Sequence, residues 1–258
     1  MIAIRQADEI EKIARSCRIV AEALRLAGEL IRPGVATQEI DAEVERFILS
    51  RGARPSFKGY QGFPASVCTS INDVVVHGIP GGRQLEKGDI VSVDIGAYQE
   101  GYHGDGAWTF AVGEVVSESQ RLLKTGREAL EQGIQKAWPG LRLGEVSHAI
   151  QDIVERDGFS VVRNLVGHGI GSQLHEEPQV PNFGSRQQGP VLRAGMVIAI
   201  EPMVNAGGLE VYTDKDGWAV LTRDHSRSAH FEHTVAITTG GPRILTTLDG
   251  GGWPPERG

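Results

Sequence analysis

The sequence predicts an α+β fold built from two similar halves. Segments run in the order helices, strands, helices, strands, which reads as a duplication of architecture. The helical stretches place apolar residues three or four apart, whereas the strand stretches are short Val, Ile and Thr runs broken by glycine. With 40% hydrophobic and 23% charged residues, there is apolar surface enough to offset chain entropy. No short-period repeat is visible, so the duplication is not that of a solenoid.

The first helix is predicted from Ile10, Ile13, Cys17, Val20, Leu24 and Ala27, which make one stripe. Asp8, Glu9 and Glu11 favour its N-terminus, and Pro33-Gly34 stops it. A second helix starts near Thr37, a good N-cap, and runs through Ile40, Val44, Phe47 and Ile48 to Gly52. Strands follow at 67–69, 74–77, 90–95 and 108–112. Ser117 to Gln120 reads as a capping box opening a long helix through Leu122, Leu123, Ala129, Leu130 and Ala137, ended by Pro139-Gly140. A further helix spans about 145–157, with Val146, Ile150, Ile153 and Val154 inward and Gly158 as the stop. Strands return at 160–163, 196–201, 218–222 and 231–237. Residues 1–248 form one domain, and 249–258 read as a flexible tail.

Glycine is the unusual component, 34 of 258 residues, about twice the average share. Gly59, Gly62, Gly78, Gly104, Gly106, Gly167, Gly169 and Gly171 flank the polar residues considered next, where they would let backbone approach a metal or a substrate. The net charge of −7 argues against non-specific binding to nucleic acid or membranes. Cys17 and Cys68 make no disulfide framework and read as small buried hydrophobes. No run is long enough to span a membrane and no secretory signal opens the chain, so a reducing cytoplasm is expected.

Burying a charge is expensive unless it is paired or bound to metal, so polar residues inside apolar strands are informative. Asp94 interrupts Ile90-Val91-Ser92-Val93-Asp94-Ile95, and Asp105 follows eleven residues on, after a hairpin turn. Glu201 ends Val197-Ile198-Ala199-Ile200, Glu232 sits between Phe231 and His233, and His168 lies in a glycine-rich run. Singly, each is an ordinary solvent-facing or turn residue. Together, on separate strands, four carboxylates and one imidazole suit one or two divalent cations. Four carboxylates balance two such ions, and a bridging hydroxide would be the activated nucleophile. His77 ends an apolar run, His175 leads His175-Glu176-Glu177-Pro178, and Phe57, Tyr60, Phe63 and Trp218 lie in glycine-rich or turn-rich contexts, a combination suggesting an apolar pocket beside imidazoles that can donate to a developing oxyanion.

The run from Phe63 to Pro80, Val93-Asp94, His103-Gly104-Asp105, and Gly167-His168-Gly169-Ile170-Gly171 with His175-Glu176-Glu177-Pro178 resemble the motifs of type I methionine aminopeptidases, M24 metallopeptidases. So do Ile200-Glu201-Pro202-Met203-Val204 and Phe231-Glu232-His233-Thr234, all in order over residues 1–248. The chain is similar to the short bacterial form without a zinc-binding N-terminal extension. The resemblance implies the pita-bread fold, two pseudo-symmetric halves around a central dinuclear metal cleft. It implies Asp94, Asp105, His168, Glu201 and Glu232 as ligands of two divalent ions (Co, Mn, Fe or Zn), with Asp105 and Glu232 bridging. His168 and Glu201 would serve one ion and Asp94 the other. His77 and His175 would stabilise the tetrahedral intermediate, and Glu201 would shuttle the proton. Tyr60, Phe63, His77 and Trp218 would line the methionine pocket. Phe57 stands where the family often has a small residue such as Cys, and Leu174 where Phe is frequent. Both are apolar, so methionine selectivity should survive.

The implied activity is removal of the initiator methionine from new polypeptides with a small second residue, the substrates being nascent chains met at the ribosome. A monomer is expected, with neither nucleic acid nor membrane as partner. Two alternatives stand beside it: a proline-specific peptidase of the same fold, and a catalytically inactive peptide-binding homologue. The former usually carries a large N-terminal domain, and the latter would show missing ligands.

Overall fold

Two amphipathic helices, α1 (Ala7–Leu30) and α2 (Thr37–Ser50), open a computed structural model that describes residues 1–248. The tail expected at 249–258 lies outside the described residues. The predicted stripe is buried, with Ile13, Cys17, Val20, Leu24 and Ala27 on α1 and Ile40, Val44 and Ile48 on α2. Thr37 departs from expectation: it is the first helical residue rather than the N-cap. Its hydroxyl instead donates to the Gly81 carbonyl (3.1 Å) and accepts from the Gly81 N–H (2.8 Å). Glu39 accepts from the Ala36 N–H at 2.9 Å in its place.

The first half continues with β1 (Arg54–Pro55), a short 3-10 turn (Tyr60–Gly62), β2 (Val67–Ile71), β3 (Val74–Val76), β4 (Ile90–Gln99) and β5 (Tyr102–Ala111). The sheet is antiparallel in the order β1-β4-β2, with β5 also paired to β4. Register decides the placement of the first two carboxylates. Asp94 faces Ala107, Gly96 faces Asp105 and Cys68 faces Asp94. Side chains directly opposite share a face, as do residues two apart, so Asp94, Asp105 and Cys68 lie on one side of the sheet.

The second half holds α3 (Ser117–Gln135), α4 (Leu143–Arg156), β6 (Ser160–Val161), β7 (Gly167–Gly169), β8 (Glu176–Val180) and β9 (Val197–Ile200). It ends with β10 (Met203–Asn205), β11 (Val211–Thr213), β12 (Val220–Thr222), β13 (Ser228–His230), β14 (His233–Thr238) and β15 (Gly241–Ile244). The sheets are β15-β14-β9-β7-β8, β13-β10-β6 and β11-β12-β3. The capping box at Ser117 does not form. Val116 is the N-cap, and the Gln120 amide donates to the Val115 carbonyl at 3.1 Å. The strands bearing Glu201 and Glu232 are shorter than predicted, so both residues sit at strand ends. Pro202 follows Glu201 and has no N–H for the ladder.

Each half lays a helix on the strands that carry the carboxylates. A Cβ at Gly104 would lie 2.5 Å from the Cys17 nitrogen, so α1 rests directly on β5. On the other side, the fully buried Phe231 ring packs on Gly126 of α3 and edge-on against Trp108, centroids 4.8 Å apart. The halves are stitched at the same level. The Glu232 N–H donates to the Ala107 carbonyl (2.9 Å), and the Thr234 hydroxyl donates to the Asp105 carbonyl (2.8 Å). β3 also crosses to pair with β12. Among the described residues, no helix is long and apolar enough to cross a membrane.

Candidate active site

The residues singled out in the sequence converge on one cleft between the halves. Asp94, Asp105, His168, Glu201 and Glu232 line it, with His77, His175, Phe57, Tyr60, Phe63, Leu174 and Trp218. Asp94 and Asp105 come from the β4–β5 hairpin, Glu201 and Glu232 from the facing ends of β9 and β14, and His168 from β7. Ligand atoms of Asp105, His168 and Glu232 lie within 4.8 Å of one another, all three residues buried. Nε2 of His168 is 3.4 Å from Glu201 Oε1 and 3.9 Å from Asp105 Oδ2. Its Nδ1 faces the Gly169 carbonyl at 2.9 Å, so Nε2 is the nitrogen left for a metal.

Electrostatics test whether a cation fits. Burial raises the Glu201 carboxyl to about 8. Burial, opposed by His230, raises Asp94 to about 7. Burial and the neighbouring carboxylates push Asp105 and Glu232 well above the usual range. Burial lowers His168 to about 3. Oδ1 of Asp94 and Oε1 of Glu232 are buried without a hydrogen-bond partner. Four acids, Asp105 and Glu232 buried and Asp94 and Glu201 half-buried, with a neutral imidazole and unpartnered oxygens, make a donor set that a divalent cation satisfies.

His77 has φ of +60°, in the left-handed region a non-glycine residue rarely adopts. Such strain persists only where the surroundings impose it, here at the end of β3, with the imidazole in the cleft. Burial, then the nearby His230 and His175, lower its pKa to about 4. Burial also lowers His175, whose Nδ1 shares a 2.7 Å hydrogen bond with the Tyr60 hydroxyl. Its ring meets that of His168, centroids 4.3 Å apart. Phe63 meets Trp218 edge-on at 5.1 Å, and the Asp216 carboxylate holds the Trp218 loop by accepting from the Trp218 and Ala219 N–H groups. Phe57 and Leu174 are buried in the same apolar cluster.

Sequence reasoning missed several residues. His230 is 2% exposed, with Nε2 3.7 Å from Glu201 Oε2 and no hydrogen-bond partner. Its position two before Glu232 was the available signal. Asn182, fully buried, donates to the Glu201 carbonyl at 3.0 Å. Gln61 lines the cleft, and Cys68, buried as expected, faces it. A side chain at Gly78, Gly167 or Gly169 would strike the backbone of Thr69, Ala199 or Glu177, so these three of the flanking glycines admit neighbouring backbone.

A family model described as metallopeptidase family M24 matches residues 11–239. The chain belongs to this family. Within M24 its likeness is to methionine aminopeptidases. It is 52% identical over 248 residues to methionine aminopeptidase 1 of Bacillus subtilis, covering 96% of this chain and 100% of that one. The crystal structure of methionine aminopeptidase from Thermotoga maritima superposes with a TM-score of 0.95 at 46% identity, covering 96% of this chain and 100% of the other. Prolidase from Pyrococcus furiosus shares the M24 pita-bread fold less closely, with a TM-score of 0.76 at 28% identity over 95% of this chain and 66% of its own. The proline-specific alternative is therefore not favoured.

Proposed function

We propose that this M24 chain is a methionyl aminopeptidase that removes the initiator methionine from new polypeptides with a small second residue. Residues 1–248 act as its catalytic domain in the cytoplasm, a compartment consistent with two buried free cysteines. The convergence of four carboxylates, three imidazoles and an apolar wall on one cleft carries this reading. An inactive homologue would have no reason to retain such costly buried charge.

Asp94, Asp105, His168, Glu201 and Glu232 would hold two divalent ions, of Co, Mn, Fe or Zn. Bound there, the ions supply Lewis acidity and a water acidic enough to act as nucleophile near neutral pH. The chain's own residues do the rest. Phe57, Tyr60, Phe63, Leu174 and Trp218 take the methionine side chain, whose sulfur favours aromatic edges. With the Tyr60 hydroxyl donating to Nδ1, His175 keeps its proton on Nε2 and donates it to the scissile carbonyl oxygen. His77, neutral above about pH 4, donates from the other half. Glu201 accepts a proton and returns it to the leaving amine.

Met-Ala and Met-Lys peptides, tested with each of the four metals, decide the matter. Methionine release from Met-Ala and not from Met-Lys is expected. Equal turnover of both overturns the specificity, and no release with any metal overturns the function.

A further inference from the structure

Arg5 lies ahead of α1, in a segment with no regular structure, yet its side chain is only 11% exposed. Its Nη2 donates to both carboxylate oxygens of Glu176 at 2.6 Å, and Glu176 is 14% exposed. The guanidinium lies flat on Gly171, where any side chain would collide with it. The Arg5 N–H donates to the Gly195 carbonyl at 2.7 Å, fixing the backbone of the segment. A second contact, from Nη1 to Glu9 at 3.4 Å, joins α1, and Glu9 in turn accepts from the Tyr102 hydroxyl at 2.8 Å. Arg5 thus bridges the strand that carries Asp105 and the turn between β7 and β8.

That turn ends in His175, the residue before Glu176. The Glu176 carboxylate also accepts from the Ser172 hydroxyl (3.2 Å) and the Gln173 N–H (3.0 Å), so it gathers the turn around itself. Its charge is balanced by Arg5. Without the guanidinium, a carboxylate this sheltered gains by turning to water. The turn would then lose its centre and His175 its fixed origin. A misplacement near 1 Å of a group acting on the transition state costs on the order of 100-fold in rate.

We infer that Arg5 is a positioning residue for His175, acting through its ion pair with Glu176. The inference rests on the peptidase reading for the role of His175. Its test compares Arg5→Ala, Arg5→Lys, Glu176→Gln, His175→Ala and the Arg5→Ala/His175→Ala double variant, each metal-loaded, on a Met-Ala peptide. Arg5→Ala and Glu176→Gln should lower kcat by about 10- to 100-fold, with KM and bound metal little changed. Arg5→Lys should recover part of the loss, since it keeps the charge but not the length and planarity of the guanidinium. On a His175→Ala background, Arg5→Ala should have no further effect, because nothing remains to be positioned. A kcat for Arg5→Ala within about twofold of wild type, or the same loss with and without His175, overturns the inference. If Arg5→Ala does not fold, Glu176→Gln enters the same cycle. The His175 imidazole 15N resonance of the zinc-loaded protein reads the inference without turnover. It should move in Glu176→Gln, and an unmoved resonance overturns the inference even if the wild type releases no methionine.

Discussion

Replacing Glu201 by Gln should make the metal-free protein more stable while abolishing its activity. The carboxyl of Glu201 ordinarily ionises near 4.5 and does so near 8 when buried in the folded cleft. Between those values the folded state holds a proton that the unfolded chain has released, so stability falls as pH rises through this window. Each pH unit there costs about 1.4 kcal/mol, which reaches roughly 3 kcal/mol at pH 7. Gln cannot ionise and escapes the cost. For a chain of this size the gain corresponds to roughly 6–12 °C in Tm. Thermal melts in a strong chelator at pH 7 and pH 4.5 measure it. The variant should melt higher at pH 7, with the gap nearly closed at pH 4.5. Saturating divalent metal should reverse the order, because only the wild type gains full binding energy. A chelated variant that melts at or below wild type at pH 7, or a gap unchanged at pH 4.5, refutes the electrostatic account.

Gly126→Ala should destabilise by about 1–3 kcal/mol despite the better helix propensity of alanine. Its Cβ would lie 2.6 Å from two atoms of the fully buried Phe231 ring, and a melt above wild type would contradict that packing. Trp218→Ala should raise KM for Met-Ala more than it lowers kcat, since it removes a wall of the apolar pocket and the edge contact to Phe63. Steady-state kinetics showing an unchanged KM would remove Trp218 from the pocket. His77 should remain neutral from pH 5 to 7, its pKa being depressed by burial to about 4. The ratio of wild-type to His77→Gln rates should then stay flat across that range, whereas a ratio that bends near pH 6.5 shows His77 titrating at its ordinary value.

The carboxylates were legible because they break apolar runs, a local signal that survives folding. Asp94 is the clearest case: flanked by valine and isoleucine, it had to face either water or a cation. His230 carried no such mark. Its meaning arises from Glu201, brought near only when β10 pairs with β13. Arg5 was equally silent, since its partner Glu176 lies 171 residues away. The helix caps were misread for a related reason. Thr37 has the right side chain for an N-cap, but tertiary contact with Gly81 claimed its hydroxyl. The large elements follow from periodicity, whereas short strands such as β13 and β8 have too few residues to show a period.

The four carboxylates fall two to each half, one strand pair answering the other, whereas His168 comes from the second half alone. A site with the symmetry of its scaffold could not tell one end of a peptide from the other. One imidazole among the five predicted ligands gives the cleft a direction. It makes one flank of the centre nitrogen-rich, beside His175, and leaves Asp94 and Cys68 on the opposite sheet. An aminopeptidase must read a chain from its amino end, and a ligand set of unequal flanks offers such a polarity.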